Sequence, residues 1–246
     1  MEIIISETKA ELGRQAAEAA AAALRGAISA RGEANLIVAT GASQFEMLAE
    51  LVQAPKVDWG VVTAFHLDEY VGMPATHPAS FRRYLRERFV DRLPQPLAAF
   101  YAIDAETDPP LACAELGAVL VQHPIDVALI GIGENGHLAF NDPPADFVTE
   151  LPYLVVALDE ACRRQQLNEG WFSTLAEVPK EAVSMSIRQI LKSRELVVTV
   201  PDRRKAAAVK NTVQGPITPD VPASILQNHP HCRLFLDRES ASLLGL

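Results

Sequence analysis

With 246 residues, 49% of them hydrophobic, and a formal net charge of -9, the chain can bury a sizeable core as one domain over residues 1–246. That charge argues against a nucleic-acid surface, whose phosphates attract lysine and arginine clusters, and favours a small-molecule ligand. Cys113, Cys162 and Cys232 form no CxxC pair, so free thiols are expected and neither a disulfide framework nor a metal site is. No apolar run reaches membrane-spanning length and Met1–Ile5 lacks the basic start of a secretory signal, so a soluble cytoplasmic protein with no membrane partner is expected.

In chain order, Ile3–Ile5 reads as a strand, and Thr8–Ala30 as an alanine-rich helix stopping at Arg31-Gly32. Leu36–Ala39 is a second buried strand, followed by a helical pattern through Phe45, Leu48, Ala49 and Val52. Val61–Leu67 is the next strand, with a helix over Ser80–Phe89 after a polar loop. A helix over Leu111–Val121 precedes a strand at Val127–Ile130, a proline-rich loop at Pro143–Pro152 and a strand at Leu154–Ala157. The last third holds a helix at Arg188–Lys192, a strand at Leu196–Val200, a helix at Arg204–Val213 and a strand at Arg233–Leu236. Strands alternating with helices predict a single α/β domain of Rossmann-like type: a largely parallel sheet with helices on both faces.

Four strand exits carry chemistry. Thr40-Gly41-Ala42-Ser43-Gln44 offers backbone N–H groups and hydroxyls that could cradle a phosphate; it has neither a Walker lysine nor GxGxxG, and an ordinary βα turn has the same composition. Asp68-Glu69 places two acids at a strand tip, where partial desolvation makes a usable general base, although a helix cap or solvated loop fits the pair equally. Gly131, Gly133 and Gly136 let the chain leave Ile125–Ile130 and present His137, whose tautomer Asn135 or Asp142 could fix; a histidine satisfied by backbone carbonyls is the alternative. In Pro201-Asp202-Arg203-Arg204-Lys205, one or more cations could neutralise a phosphate held by the first loop, or simply solvate a helix start.

ATGAS, FHLDEYVGM followed by HPASF, GIGENGHLAFNDP, VPKEAVSMSI, RRKAAAV and PASILQNHP, in this order over nearly the whole chain, resemble the glucosamine-6-phosphate deaminase/isomerase family. That resemblance implies conversion of an amino-sugar 6-phosphate to fructose 6-phosphate and ammonia without a metal or organic cofactor. It implies that Asp68 moves the proton between C2 and C1 through an enolamine, and that His137 assists ring opening with Asn135 and Asp142 beside it. Thr40, Gly41, Ala42 and Ser43 would cradle the phosphate that Lys205 pairs with, while Glu69 and Gly136 support substrate binding. The related 6-phosphogluconolactonases continue from their Gly-His toward Ser-Leu-Phe-Pro, whereas here Leu138-Ala139-Phe140-Asn141 follows, which favours the deaminase branch.

Some family members have aspartate where Asn135 stands and glutamate where Asp142 stands, and Thr-Pro is usual where Ser43-Gln44 stands. The larger departure is Ala161–Phe172: Gly170 occupies the place of a phosphate-binding arginine, so Arg163 or Arg164 is expected to substitute. This departure motivates the alternatives of galactosamine 6-phosphate or another sugar phosphate. A non-catalytic sugar-phosphate sensor is disfavoured by the lack of a helix-turn-helix or basic region. The allosteric basic residues of hexameric deaminases do not map cleanly, leaving room for a homo-oligomer of another kind.

Overall fold

The computed structural model describes residues 1–245. Its first half runs β1 (Glu2–Ser6), α1 (Lys9–Arg31), β2 (Ala34–Val38), α2 (Phe45–Leu51), β3 (Val62–His66), β4 (Asp68–Tyr70), α3 (Phe81–Arg88), β5 (Ala99–Tyr101) and α4 (Pro109–Leu120). The second half adds β6 (Val127–Ile130), β7 (Tyr153–Ala157), α5 (Glu160–Asn168), β8 (Glu181–Met185), α6 (Ile187–Leu191), β9 (Glu195–Val200), α7 (Ala206–Gln214) and β10 (Cys232–Asp237).

Seven strands make one sheet in the order β1-β10-β9-β6-β2-β3-β5, each neighbouring pair parallel. Its central strands are buried on both faces, which is why they read as continuous apolar runs. Leu36, Val38, Val127 and Leu129 face a core built with α1, α2 and α3, while Ile37, Ala128 and Ile130 face one that takes in Leu120, Ile190 and Val209 from α4, α6 and α7. This is the two-sided cover expected from the alternation of elements.

Local signals set the helix ends. Thr8 Oγ1 accepts from Glu11 N at 3.2 Å to cap α1, and Gly32 closes it with φ +82°. Asp108 caps α4, whose first residues are Pro109 and Pro110.

The structure corrects the sequence reading in two places and extends it in several. The strand expected at 154–157 is β7, but it belongs to a second sheet, antiparallel, of order β4-β8-β7. The strand expected over 61–67 breaks at Leu67, so Asp68 and Glu69 open β4 and are not loop residues. β4, β5, β8 and α5 had no counterpart among the predicted elements.

Helices α1 and α2 meet at Gly13, where an added Cβ would stand 2.5 Å from Glu46 Cβ and 2.7 Å from its carbonyl carbon. Gly26, in the same helix, has open space around the same position. Gly13→Ala is expected to cost about 1–3 kcal/mol through overpacking against backbone. Gly26→Ala should instead add about 0.5–1 kcal/mol through helix propensity. Urea unfolding of the two variants measures both signs.

Candidate active site

The chain leaves β2 toward β3 and β5 on one side and leaves β6 toward β9 and β10 on the other, so the β2–β6 junction is the switch point of the sheet. Loops after neighbouring strands diverge there and leave a crevice at the strand C-termini. A cleft opens at this position, lined by residues from the exits of β2, β3, β6 and β9 and by one face of α5. Thr40, Gly41, Ala42, Ser43, Asp68, His137 and Lys205 all line it.

Asp68 is 6% exposed, and its Oδ1 has no hydrogen-bond partner. Burial, reinforced by the neighbouring Glu69 carboxylate, pushes its pKa up to about 8. Glu69 points the other way, because successive residues of a strand face opposite sides. Its fully buried carboxylate accepts from Tyr70 N (2.9 Å), Ser80 Oγ (2.9 Å), Phe81 N (3.1 Å) and Arg82 N (2.8 Å), and Arg82 Nε lies 3.5 Å away. Glu69 therefore holds the start of α3 to β4 and does not line the cleft.

His137 is 8% exposed and lies over Gly133, where an added Cβ would come within 2.3 Å of the imidazole. Asn135 Oδ1 accepts from His137 N at 3.1 Å, and Asn135 Nδ2 donates to Asp142 Oδ1 at 3.0 Å. Asp142 Oδ1 also lies 3.2 Å from His137 Nδ1, an electrostatic contact lacking hydrogen-bond alignment. Burial would raise the Asp142 pKa, but His137, the Asn135 amide and the Asp159 N–H hold it below the ordinary carboxylate value. Gly136 makes the turn at φ +86° and does not line the cleft. Imidazole, Asp142 carboxylate and Cys162 thiol lie within 4.8 Å of one another, a donor set that could hold a divalent ion.

The β2 exit is tied down from two sides. Tyr84 Oη donates to Gly41 O at 2.9 Å, and Gln44 Nε2 donates to Thr199 Oγ1 of β9 at 2.8 Å. Gly131 lets the β6 exit pass close by, since a Cβ there would stand 2.8 Å from Ser43 Oγ. Lys205, 6% exposed, lines the same cleft as this loop; burial lowers its pKa, partly offset by Glu169 and Glu134. Two residues lining the cleft, Ala139 (φ +52°) and Asp202 (φ +83°), adopt left-handed backbone without being glycine, a strain that concentrates at functional sites.

The family model described as glucosamine-6-phosphate isomerases/6-phosphogluconolactonase matches residues 7–234. The chain belongs to this family. It is 37% identical over 247 residues to a glucosamine-6-phosphate deaminase of Lactobacillus delbrueckii subsp. bulgaricus, covering 99% of this chain and 100% of that one. A glucosamine-6-phosphate deaminase of Listeria monocytogenes is 37% identical over 87% of this chain and 89% of its own. A solved monomeric glucosamine-6-phosphate deaminase superposes with a TM-score of 0.89 at 30% identity, covering 99% of this chain and 100% of that one. A putative 6-phosphogluconolactonase from Neisseria gonorrhoeae FA 1090, 22% identical with a TM-score of 0.76 over 96% of this chain and 99% of its own, shares the fold.

Against this family background, the arginines expected to replace the one missing at Gly170 are elsewhere. Arg163 donates to Leu175 O (2.6 Å) and Val178 O (2.9 Å), bracing the segment after α5. Arg164 pairs with Glu160 one turn back on the exposed side of the helix. Neither lines the cleft. Arg204 does, 3.4 Å from Glu134 and 3.9 Å from Asp202, as do Gln165, Gln166 and Glu169. The sequence reading did not single out Gln165, Gln166 or Glu169. Asp159, whose side chain accepts from Cys162 N to start α5, was the available signal that a helix begins there.

The adjacent acids predict opposite behaviour. Glu69→Ala leaves buried donors and Arg82 unpaired and is expected to destabilise by about 3 kcal/mol. Asp68→Asn should stabilise. The folded pKa of Asp68 is raised, so its contribution to stability is present below the unfolded value of 3.8 and lost as pH climbs to about 8. The advantage of the Asn variant over the wild type should therefore grow across that window and level off above it, as thermal unfolding at a series of pH values reads directly.

Proposed function

We propose that the chain is a glucosamine-6-phosphate deaminase, taking glucosamine 6-phosphate and water to fructose 6-phosphate and ammonia. The observation that carries this reading is that a carboxyl of raised pKa, Asp68, and a buried ammonium, Lys205, share one cleft with His137. Phosphate bound to Lys205 and the Thr40–Ser43 backbone anchors one end of the sugar, and that remote binding presents C1 and C2 to Asp68. Arg204 adds a second cation to that end.

Asp68 then removes the proton from C2 and returns it to C1 through an enolamine, which leaves an imine at C2; water adds to that carbon and the C–N bond breaks, releasing ammonia and leaving the ketone. His137 transfers a proton at the ring oxygen during opening, its ring set by Gly133, Asn135 and Asp142. A protonated substrate amine beside Asp68 favours the carboxylate, so the base is generated as the sugar binds. Each of these steps is a proton transfer or a hydrolysis, for which the acid/base groups suffice.

Purified protein given glucosamine 6-phosphate should release ammonia and fructose 6-phosphate in equal amounts, and Asp68→Asn should abolish turnover. Its kcat/KM should rise with pH through about 8 as Asp68 deprotonates, with the corresponding limb in kcat displaced to lower pH. Hydrolysis of 6-phosphogluconolactone without ammonia release would overturn the assignment, as would turnover that survives Asp68→Asn. Lys205→Ala should raise KM by about 10-fold or more with a smaller effect on kcat, the signature of a lost anchoring contact. In this reading the enzyme is cytoplasmic and needs no metal or organic cofactor. Sedimentation distinguishes the homo-oligomer allowed for from sequence from the monomeric state described for the solved relative.

A further inference from the structure

Helix α5 and its C-cap residue Glu169 form an unusual inward stripe. Cys162, Gln165, Gln166 and Glu169 follow the i, i+3, i+4, i+7 spacing that a packed helix normally fills with apolar residues. Here three of the four are polar, and those three line the cleft. Carboxamides withdrawn from water are costly unless hydrogen-bonded, so their partners need accounting for.

Gln165 is satisfied within the protein: its Oε1 accepts from Glu134 N at 3.0 Å and its Nε2 donates to Glu169 Oε1 at 2.9 Å. Gln166 is half satisfied. It is 6% exposed, and its Oε1 accepts from Tyr70 Oη at 2.8 Å. The Tyr70 ring is itself locked among Phe81, Phe140 and Phe172. The Gln166 Nε2 group has no partner among the described residues and is the part of the side chain left for the cleft. Tyr70 is two residues after Asp68 on β4, so both side chains leave the strand on the same face. Tyr70 thereby holds the free amide on the face of β4 that carries Asp68, in the cleft that Lys205 and Arg204 also line.

We propose that Gln166 is a specificity-determining residue that donates its Nε2–H to a hydroxyl oxygen on C3 or C4 of the sugar phosphate, with Tyr70 as the positioning residue that aims it. This rests on the deaminase reading, in which Asp68 works at C1 and C2 while the cations hold the phosphate on C6, leaving the middle carbons to the wall between them. Gln165 and Glu169 brace that wall against the Glu134 backbone.

The test compares kcat/KM for glucosamine 6-phosphate, its 3-deoxy and 4-deoxy analogues, and galactosamine 6-phosphate, in wild type, Gln166→Glu, Gln166→Met and Tyr70→Phe. Gln166→Glu keeps an acceptor for Tyr70 and replaces the Nε2 donor by a carboxylate oxygen; the added charge acts on every sugar alike, so the discrimination ratio and not the absolute rate is read from it where Gln166→Met folds poorly. In the wild type, deleting the hydroxyl that Gln166 reads should lower kcat/KM by about 10-fold or more, and in Gln166→Glu and Gln166→Met by less than about 3-fold. Tyr70→Phe should fall between. Variants that lose activity equally on every sugar, with the discrimination ratio unchanged, would overturn the role of Gln166 while leaving the deaminase reading intact. A wild type that releases no ammonia from any of these sugars would overturn both.

Discussion

Two adjacent carboxyls on opposite faces of one short strand are the constraint around which this molecule is arranged. β4 is three residues long, and a single step along its pleat separates Asp68, turned into the cleft, from Glu69, turned into the start of α3. Leaving a carboxyl buried and unpartnered as Asp68 is would unravel a strand that had nothing else to hold it. Glu69 supplies the hold through four donors and Arg82, and β8 pairs along the other edge in register from Asp68↔Ser184 to Tyr70↔Ala182. The small antiparallel sheet can thus be seen as a mount whose purpose is to carry one destabilised acid to the mouth of the large one.

The histidine is mounted by different means, through close approach of backbone. Gly133 accepts the imidazole against its Cα, and Gly131 lets the β6 exit lie against Ser43, so side chains from separate strand exits come within reach of one ligand. Asn141 then stitches the histidine loop to β8, its Nδ2 donating to Leu138 O and Met185 O, both at 2.8 Å. Base and histidine consequently share a single framework, since β8 anchors the strand bearing one and the loop bearing the other.

The large sheet was legible in the sequence because strands buried on both faces are written as unbroken apolar runs, as in Leu36–Ala39 and Val127–Ile130. The loops at their ends drew notice because glycines, an acid and a histidine fall together at strand exits, where open α/β sheets place their ligands. The small sheet was not, because β4 is Asp-Glu-Tyr and β8 is Glu-Ala-Val-Ser-Met, and what makes them strands is pairing with each other. Helix α5 shows the same limit at finer grain. Arg163 and Arg164 are only one to three positions from Gln165 and Gln166, but each position turns a helix by about 100°. That phase sends the arginines to backbone carbonyls and to solvent and the glutamines to the cleft, and it is settled by where Asp159 caps the helix.

The order of the large sheet bears on how the chain is made. β1 occupies an edge and pairs with β10 alone, from Glu2↔Arg233 to Ser6↔Asp237, while β10 lies between β1 and β9. A chain leaving the ribosome therefore carries β1 unpartnered until β10 has been synthesised, with the face of α1 that rests on β10 uncovered for the same interval. Closure of this edge has to wait for β10, and the segment that waits, Ile3-Ile4-Ile5, is an unbroken apolar run.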